Sequence, residues 1–194
     1  SGMPIPETAA IEIAAGDLSE VEVIDADVAD LDMLIINAAL LPQLSSVADI
    51  DQRAYNQALT VNVLATQALI ANFDPMLRKS ANPRVVGLTS GVGRQPKAYW
   101  SAYASTKAAL DAIALVYAKE TEKTNIRVNV VNPGPTRTEM RAAAFPGEDP
   151  EQLPPPEHIA ATMIRLAEPD FTETGLWVAA DAQTTAPGND ESVH

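Results

Sequence analysis

Tyr103 precedes Lys107 by four residues in the stretch SAYASTKAAL, Ser101 to Leu110. The stretch is rich in alanine and should be helical, which puts both side chains on one face, one turn apart. A phenol and an amine so placed can form an acid–base couple. A free tyrosine has a pKa of about 10, too high for it to cycle a proton readily at neutral pH. A nearby cation favours the phenolate and lowers such a pKa by about 1–3 units. The spacing alone is weak: four tyrosines and five lysines give roughly a one-in-ten chance of one such pair. An exposed phenol beside an exposed amine is the plain alternative, and the rest of the chain has to choose.

The couple needs a scaffold that aims it. Met33 to Ile36 (MLII), Arg84 to Leu88 (RVVGL) and Ile126 to Val131 (IRVNVV) are short apolar runs, the pattern of strands covered on both faces. Ala10 to Ala15, Val21 to Ala26 and Gly175 to Ala180 also read as strands. Between them, Asp51 to Phe73 and Ser101 to Lys123 read as long helices, with Asp49 or Asp51 as a cap for the first. A shorter helix opens at Pro156 and runs to about Ala167, while Phe145 to Pro156 is too broken by proline for a regular element. Alternating strands and helices predict an α/β fold, a doubly wound, mostly parallel sheet with right-handed crossovers and helices on both faces. One domain is expected over 1–181, followed by a polar tail over 182–194. In such sheets ligands bind at the carboxyl ends of the strands.

Several polar groups fall at those ends: Asp27-Val28, Asn37-Ala38, Thr89-Ser90, and Pro133 to Thr138. Asn62 lies inside a predicted helix, where asparagine carries a propensity cost that asks for a reason. Tyr99, Trp100 and Met140 would line a substrate pocket or else belong to the core or a dimer contact, and His158 at a helix start reads as surface.

Bulk properties exclude other chemistry. The net charge of −13 opposes attraction to nucleic acid or an anionic membrane. With no cysteine there is no disulfide framework, thiolate zinc site or thiol nucleophile. No apolar run is long enough to span a bilayer, and a cytoplasmic location is expected.

Taken in order, INAA at 36–39, TVNV at 60–63, LTSGVG at 88–93, YASTK at 103–107 and NPGPTRT at 132–138 resemble the motif series of the short-chain dehydrogenase/reductase family. The serine stands thirteen residues before the tyrosine, as the family's pattern requires. The resemblance implies an NAD- or NADP-dependent oxidoreductase interconverting an alcohol and a carbonyl. It implies Tyr103 as general acid and base and Ser90 as the group orienting the substrate oxygen. Lys107 would lower the phenol's pKa and hold the ribose hydroxyls. Asn62 would hold a water in a proton relay. Asp27, Val28, Asn37, Ala38, Pro133, Gly134, Thr136 and Thr138 would line the cofactor together with Tyr103 and Lys107. The family's paired long helices imply a homodimer or homotetramer acting on a small-molecule substrate. The acidic loop GEDPEQLPPP after PGPTRTEMR looks like a bacterial branch of the family.

One part of the pattern is missing. The family opens with a strand and a glycine-rich turn whose amides approach the pyrophosphate at a helix N-terminus, and this sequence has no such turn. Only Ala29, Asp30 and Leu31 separate the Val21 strand from Asp32, where a parallel crossover needs about a dozen residues. The first strand–helix unit and one crossover helix are therefore expected to be absent. Either intervening segments are omitted from the chain as written, or the protein is a shortened one. If Ala10 to Ala15 is the family's second strand, Glu12 would bind the ribose hydroxyls. A shortened protein leaves room for a second reading: a catalytically silent binding or scaffold protein that retains the constellation.

Overall fold

A computed structural model describes residues 30–180. Four strands, β1 (Met33–Ile36), β2 (Arg84–Leu88), β3 (Arg127–Asn132) and β4 (Trp177–Ala179), form one sheet in that order. Each neighbouring pair is parallel, with Leu34 beside Val85, Val85 beside Val128, and Val131 beside Val178. The carboxyl ends of β1, β2 and β3 therefore finish along one edge. The expected α/β, Rossmann-type parallel sheet is the observed one. The expected strands at Ala10–Ala15 and Val21–Ala26 lie outside the described residues.

The helices are α1 (Gln52–Leu59), α2 (Ala65–Leu77), α3 (Ser101–Glu120), α4 (Glu139–Ala144) and α5 (Ala160–Ala167). Asp51, not Asp49, caps α1, accepting from the amides of Arg53 and Ala54 at 2.8 and 3.0 Å. Between α1 and α2 the helix widens into one π turn, Thr60–Leu64. The long helix expected over 51–73 is thus one helical run with a local change of pitch.

Alternation along the strands divides the core. Leu34, Ile36, Val85, Val128 and Val130 pack against Ile70, Phe73 and Leu77 of α2 and Leu110, Ala114 and Tyr117 of α3. Val86 and Val131 face the other way, against Leu166 of α5. Leu110 is fully buried; cutting such a side chain to alanine costs about 2–5 kcal/mol. Both faces are covered, which explains why the strands read as unbroken apolar runs. The strand order advances in one direction throughout, yet α2 and α3 cross one face and α5 the other. The β3–β4 connection therefore winds opposite to the first two, against the uniform right-handed expectation.

Candidate active site

α3 starts at the carboxyl edge of the sheet and turns Tyr103 and Lys107 inward, leaving 8% and 2% of their surfaces exposed. The Lys107 ammonium donates a hydrogen bond to the carbonyl of Leu88, the last residue of β2, at 2.8 Å. It stands 5.7 Å from the centre of the Tyr103 ring. The plain alternative, two exposed groups on a helix surface, is excluded by this burial.

Ser90 follows two residues after Leu88 in extended conformation, and its carbonyl accepts from the Gly93 amide at 3.1 Å as the chain turns through Gly91–Gly93. This turn lies directly on α3. A Cβ at position 93 would stand 3.0 Å from the Ala108 amide nitrogen and 3.2 Å from the Lys107 carbonyl carbon. The absence of a side chain at Gly93 is what lets the Ser90 loop approach the turn of helix that carries Lys107. Gly93 closes the LTSGVG motif in the sequence, but the need for glycine there shows only in the three-dimensional approach.

Burial governs the electrostatics of the couple. It pushes the Tyr103 phenol up to about 12 and pulls the Lys107 ammonium down to about 8, partly offset by the carboxylate of Asp111 one turn further along. The lowering of the phenol by its lysine neighbour expected above is not found: desolvation of the phenolate dominates. Asp111 is itself buried and meets Arg94 at 3.4 Å.

Asn62 sits in the π turn, fully buried. Its side-chain NH2 donates to the Leu40 carbonyl and to the Thr106 hydroxyl, both at 2.9 Å, and its oxygen accepts from the Leu40 amide at 2.7 Å. Asn62 thus ties the chain leaving β1 to the residue preceding Lys107. This answers the propensity cost of an asparagine inside a helix. Both side-chain N–H groups are taken, so a bound water would have only the second lone pair of Oδ1. π turns of this kind recur at functional sites.

On the other side of the edge, Asn37 and Ala38 are exposed at the end of β1. The Pro133–Thr138 segment leaves β3 through Gly134, whose φ of 69° suits glycine. Asn132 accepts from the amides of Gly91 and Gly134 at 3.2 and 3.3 Å, joining the loops after β2 and β3. Thr136 is buried, its hydroxyl directed at the Pro133 and Gly134 carbonyls, while Thr138 caps α4 through the Arg141 amide at 3.2 Å. His158 is not a plain surface residue: its ring nitrogens lie 2.7 and 3.0 Å from the carbonyls of Pro155 and Pro133. Asp27, Val28 and Glu12 fall outside the described residues.

The donor set suits the nicotinamide–ribose half of a dinucleotide. Leu88 takes one of the three ammonium N–H groups of Lys107, and Asn37 and Ala38 lie exposed at the end of β1. Among the described residues no glycine-rich helix N-terminus offers amides to a pyrophosphate, and no cluster of His, Cys, Asp or Glu could hold a metal ion. No helix of the described residues is long and apolar enough to cross a membrane.

A parallel sheet with a buried tyrosine–lysine pair at its carboxyl edge, beside a serine on the neighbouring strand's loop, defines a Rossmann-type protein of the dehydrogenase kind. The profile of the short chain dehydrogenase family matches residues 15–149, and the chain belongs to that family. It is 39% identical over 147 residues to the oxidoreductase YciK of Escherichia coli K12, covering 75% of this chain and 58% of YciK. The crystal structure of E. coli YciK superposes with a TM-score of 0.76 at 38% identity, over 78% of this chain and 62% of that one. A short chain dehydrogenase of E. coli CFT073 solved in complex with NADPH gives 0.76 at 38% identity, over 79% and 64%. The bacterial branch suggested by the acidic loop is thus that of YciK. The chain spans less than two thirds of the length of these relatives.

Proposed function

We propose that the protein is an NAD(P)-dependent oxidoreductase that interconverts a small alcohol and its carbonyl compound. The observation that carries this is the buried Lys107 ammonium, held on the Leu88 carbonyl one helical turn from a buried phenol. A buried ammonium is expensive, and a proton-transfer site gives it a use. In the reductive direction Tyr103 donates its proton to the substrate oxygen. Its neutral form, which burial favours, is the one that reaction needs, and an alkoxide is a stronger base than a phenolate, so the transfer runs downhill. Ser90 donates a hydrogen bond to the same oxygen and orients it. Lys107 supports the phenolate left behind and offers its remaining N–H groups to ribose hydroxyls. Asn62 keeps the Leu40 backbone and the Thr106 hydroxyl in place around this pair.

A bound nicotinamide would supply or accept the hydride at the substrate carbon. Asn37, Ala38, Pro133, Gly134, Thr136 and Thr138 would border it, with relatives crystallised with NADPH in support. The outer faces of α2 and α3 flank a groove of about 630 Å3. With Val116 of α3 56% exposed, they would pair two copies into a homodimer or homotetramer. A cytoplasmic setting follows from the same reading.

The test is a panel of carbonyl substrates with NADH and NADPH, run beside Tyr103→Phe. Turnover by the wild type and a loss of at least a hundredfold in kcat for the variant are expected; undiminished activity of the variant would remove Tyr103 as proton donor. The rival reading is a silent binding protein, since among the described residues no glycine-rich turn offers amides to a pyrophosphate. Titration of nicotinamide fluorescence separates the two, since no response to either cofactor would support the rival.

A further inference from the structure

Four of the chain's nine aromatic residues, Tyr99, Trp100, Tyr103 and Phe145, gather where α3 begins. The Trp100 ring meets Tyr103 edge-on at 6.1 Å and 65°, and lies beside Phe145 at 5.7 Å and 31°. Trp100 and Phe145 are only half-buried and belong to neither core cluster. Core packing therefore does not account for them. Tyr99, 65% exposed, is the one non-glycine residue with positive φ among the described residues, at 72°. Its carbonyl accepts from the Ser45 amide at 3.1 Å, which fixes the turn that presents Trp100. Strain of this kind, about 1–3 kcal/mol, persists where surrounding structure imposes it, often at ligand clamps.

Phe145 is held from behind. The Arg141 guanidinium lies 3.8 Å over its ring and forks onto Glu148 with two bonds of 2.6 Å. Arg137, the other cation of this segment, meets Glu151 at 3.0 Å. Both arginines are thus occupied by carboxylates, and Glu139 and Asp149 add further negative charge. A carboxylate or phosphate on the substrate would find both arginines of this segment already paired.

Resting on the oxidoreductase reading, we infer that Trp100 and Phe145 form an aromatic shelf beside the Tyr103 phenol and select a neutral carbonyl or carbinol bearing a flat aromatic substituent. An aryl ring slides against the exposed side of Trp100 while its carbonyl oxygen faces Tyr103. Ring-on-ring contact adds to the gain from burying area, and a saturated ring of the same size forgoes it.

Three probes of similar size test this: acetophenone, its saturated counterpart cyclohexyl methyl ketone, and the anionic aryl ketone benzoylformate. Dissociation constants are measured by ligand-observed NMR with NADP present, for the wild type, Trp100→Ala and Trp100→Phe. Turnover with NADPH is measured in parallel, and melting curves check that the variants fold. Acetophenone is expected to bind about tenfold tighter than either other probe. Trp100→Ala should erase that preference while changing cyclohexyl methyl ketone less than about twofold, and Trp100→Phe should retain most of it. Equal binding of the two neutral ketones, or equal loss on both in Trp100→Ala, overturns the shelf even if both are turned over. A preserved preference without turnover of any probe supports the shelf and sinks the oxidoreductase reading instead.

Discussion

Replacing Lys107 by methionine should make the protein more stable and less active, with the stability gain vanishing in alkali. The Lys107 side chain is 2% exposed, and burial moves its pKa from 10.5 to about 8. At about 1.4 kcal/mol for each pKa unit, keeping the ammonium charged inside costs the fold about 3 kcal/mol at neutral pH. Methionine matches the length and the helix propensity and removes that cost. It also strips the Leu88 carbonyl of a donor at 2.8 Å, a loss of about 1–2 kcal/mol. The net expectation is a gain of about 1–2 kcal/mol at pH 7, or roughly 3–6 °C in Tm for a chain of this size.

The pH dependence identifies the cause. A lysine with a depressed folded pKa penalises the native state fully below pH 8, where both states carry the proton. The penalty fades between about 8 and 10.5, where the unfolded chain is still protonated and the folded one is not. Between pH 7 and pH 9.5 the variant's advantage should therefore fall by about 2 kcal/mol, to near zero or slightly below. Urea denaturation of both proteins at the two pH values measures this, and comparing variant with wild type cancels the tyrosine titrations. A difference that does not move with pH would mean that the ammonium is not penalised, and the argument from burial would fall. Activity should be lost at both pH values, the usual cost of relieving strain at a working site.

Asn62→Ala leaves the Leu40 amide, the Leu40 carbonyl and the Thr106 hydroxyl without their buried partner, and should lower stability by about 3 kcal/mol in urea; a loss under 1 kcal/mol would contradict the network. Gly93→Ala puts a methyl 3.0 Å from the Ala108 amide nitrogen, so about 1–3 kcal/mol of stability and most of kcat should go together. If kcat survives intact, the Ser90 loop is not placed by this contact. Asp111→Asn removes the one charge that props up the Lys107 pKa, so the alkaline limb of the kcat/KM profile for reduction should move to lower pH, and an unmoved limb would show that Asp111 does not act on the ammonium.

The strands and α3 were readable because both sheet faces are covered, which writes unbroken apolar runs such as RVVGL into the chain. The Tyr103–Lys107 pair was readable because helical spacing is local. The rest depends on approach between distant segments. Asn132 stands in a motif, yet its bridge between Gly91 and Gly134 exists only once β2 and β3 lie side by side. α4 has six residues of mixed character and no periodicity to read, since its hold comes from the Thr138 cap and the Arg141–Glu148 fork. The π turn at 60–64 leaves no mark in a pattern that is helical on either side. His158 looked like surface because the groups its ring meets, the carbonyls of Pro133 and Pro155, are backbone groups.

The direction of the Tyr103 shift was misjudged for a reason that bears on mechanism. Burial pulls the Lys107 ammonium down to about 8 and pushes the Tyr103 phenol up to about 12, so the resting protein holds a neutral phenol and burial outweighs the neighbouring charge. Turnover at neutral pH changes this: proton donation to substrate creates a phenolate while Lys107 is still charged. With the ammonium 5.7 Å from the centre of the ring and an effective dielectric of about 20, that pair attracts by a few kcal/mol, worth roughly tenfold or more in rate. The lysine's charge is thus worth little in the resting protein and most when the proton has moved, which is the differential stabilisation that accelerates a reaction.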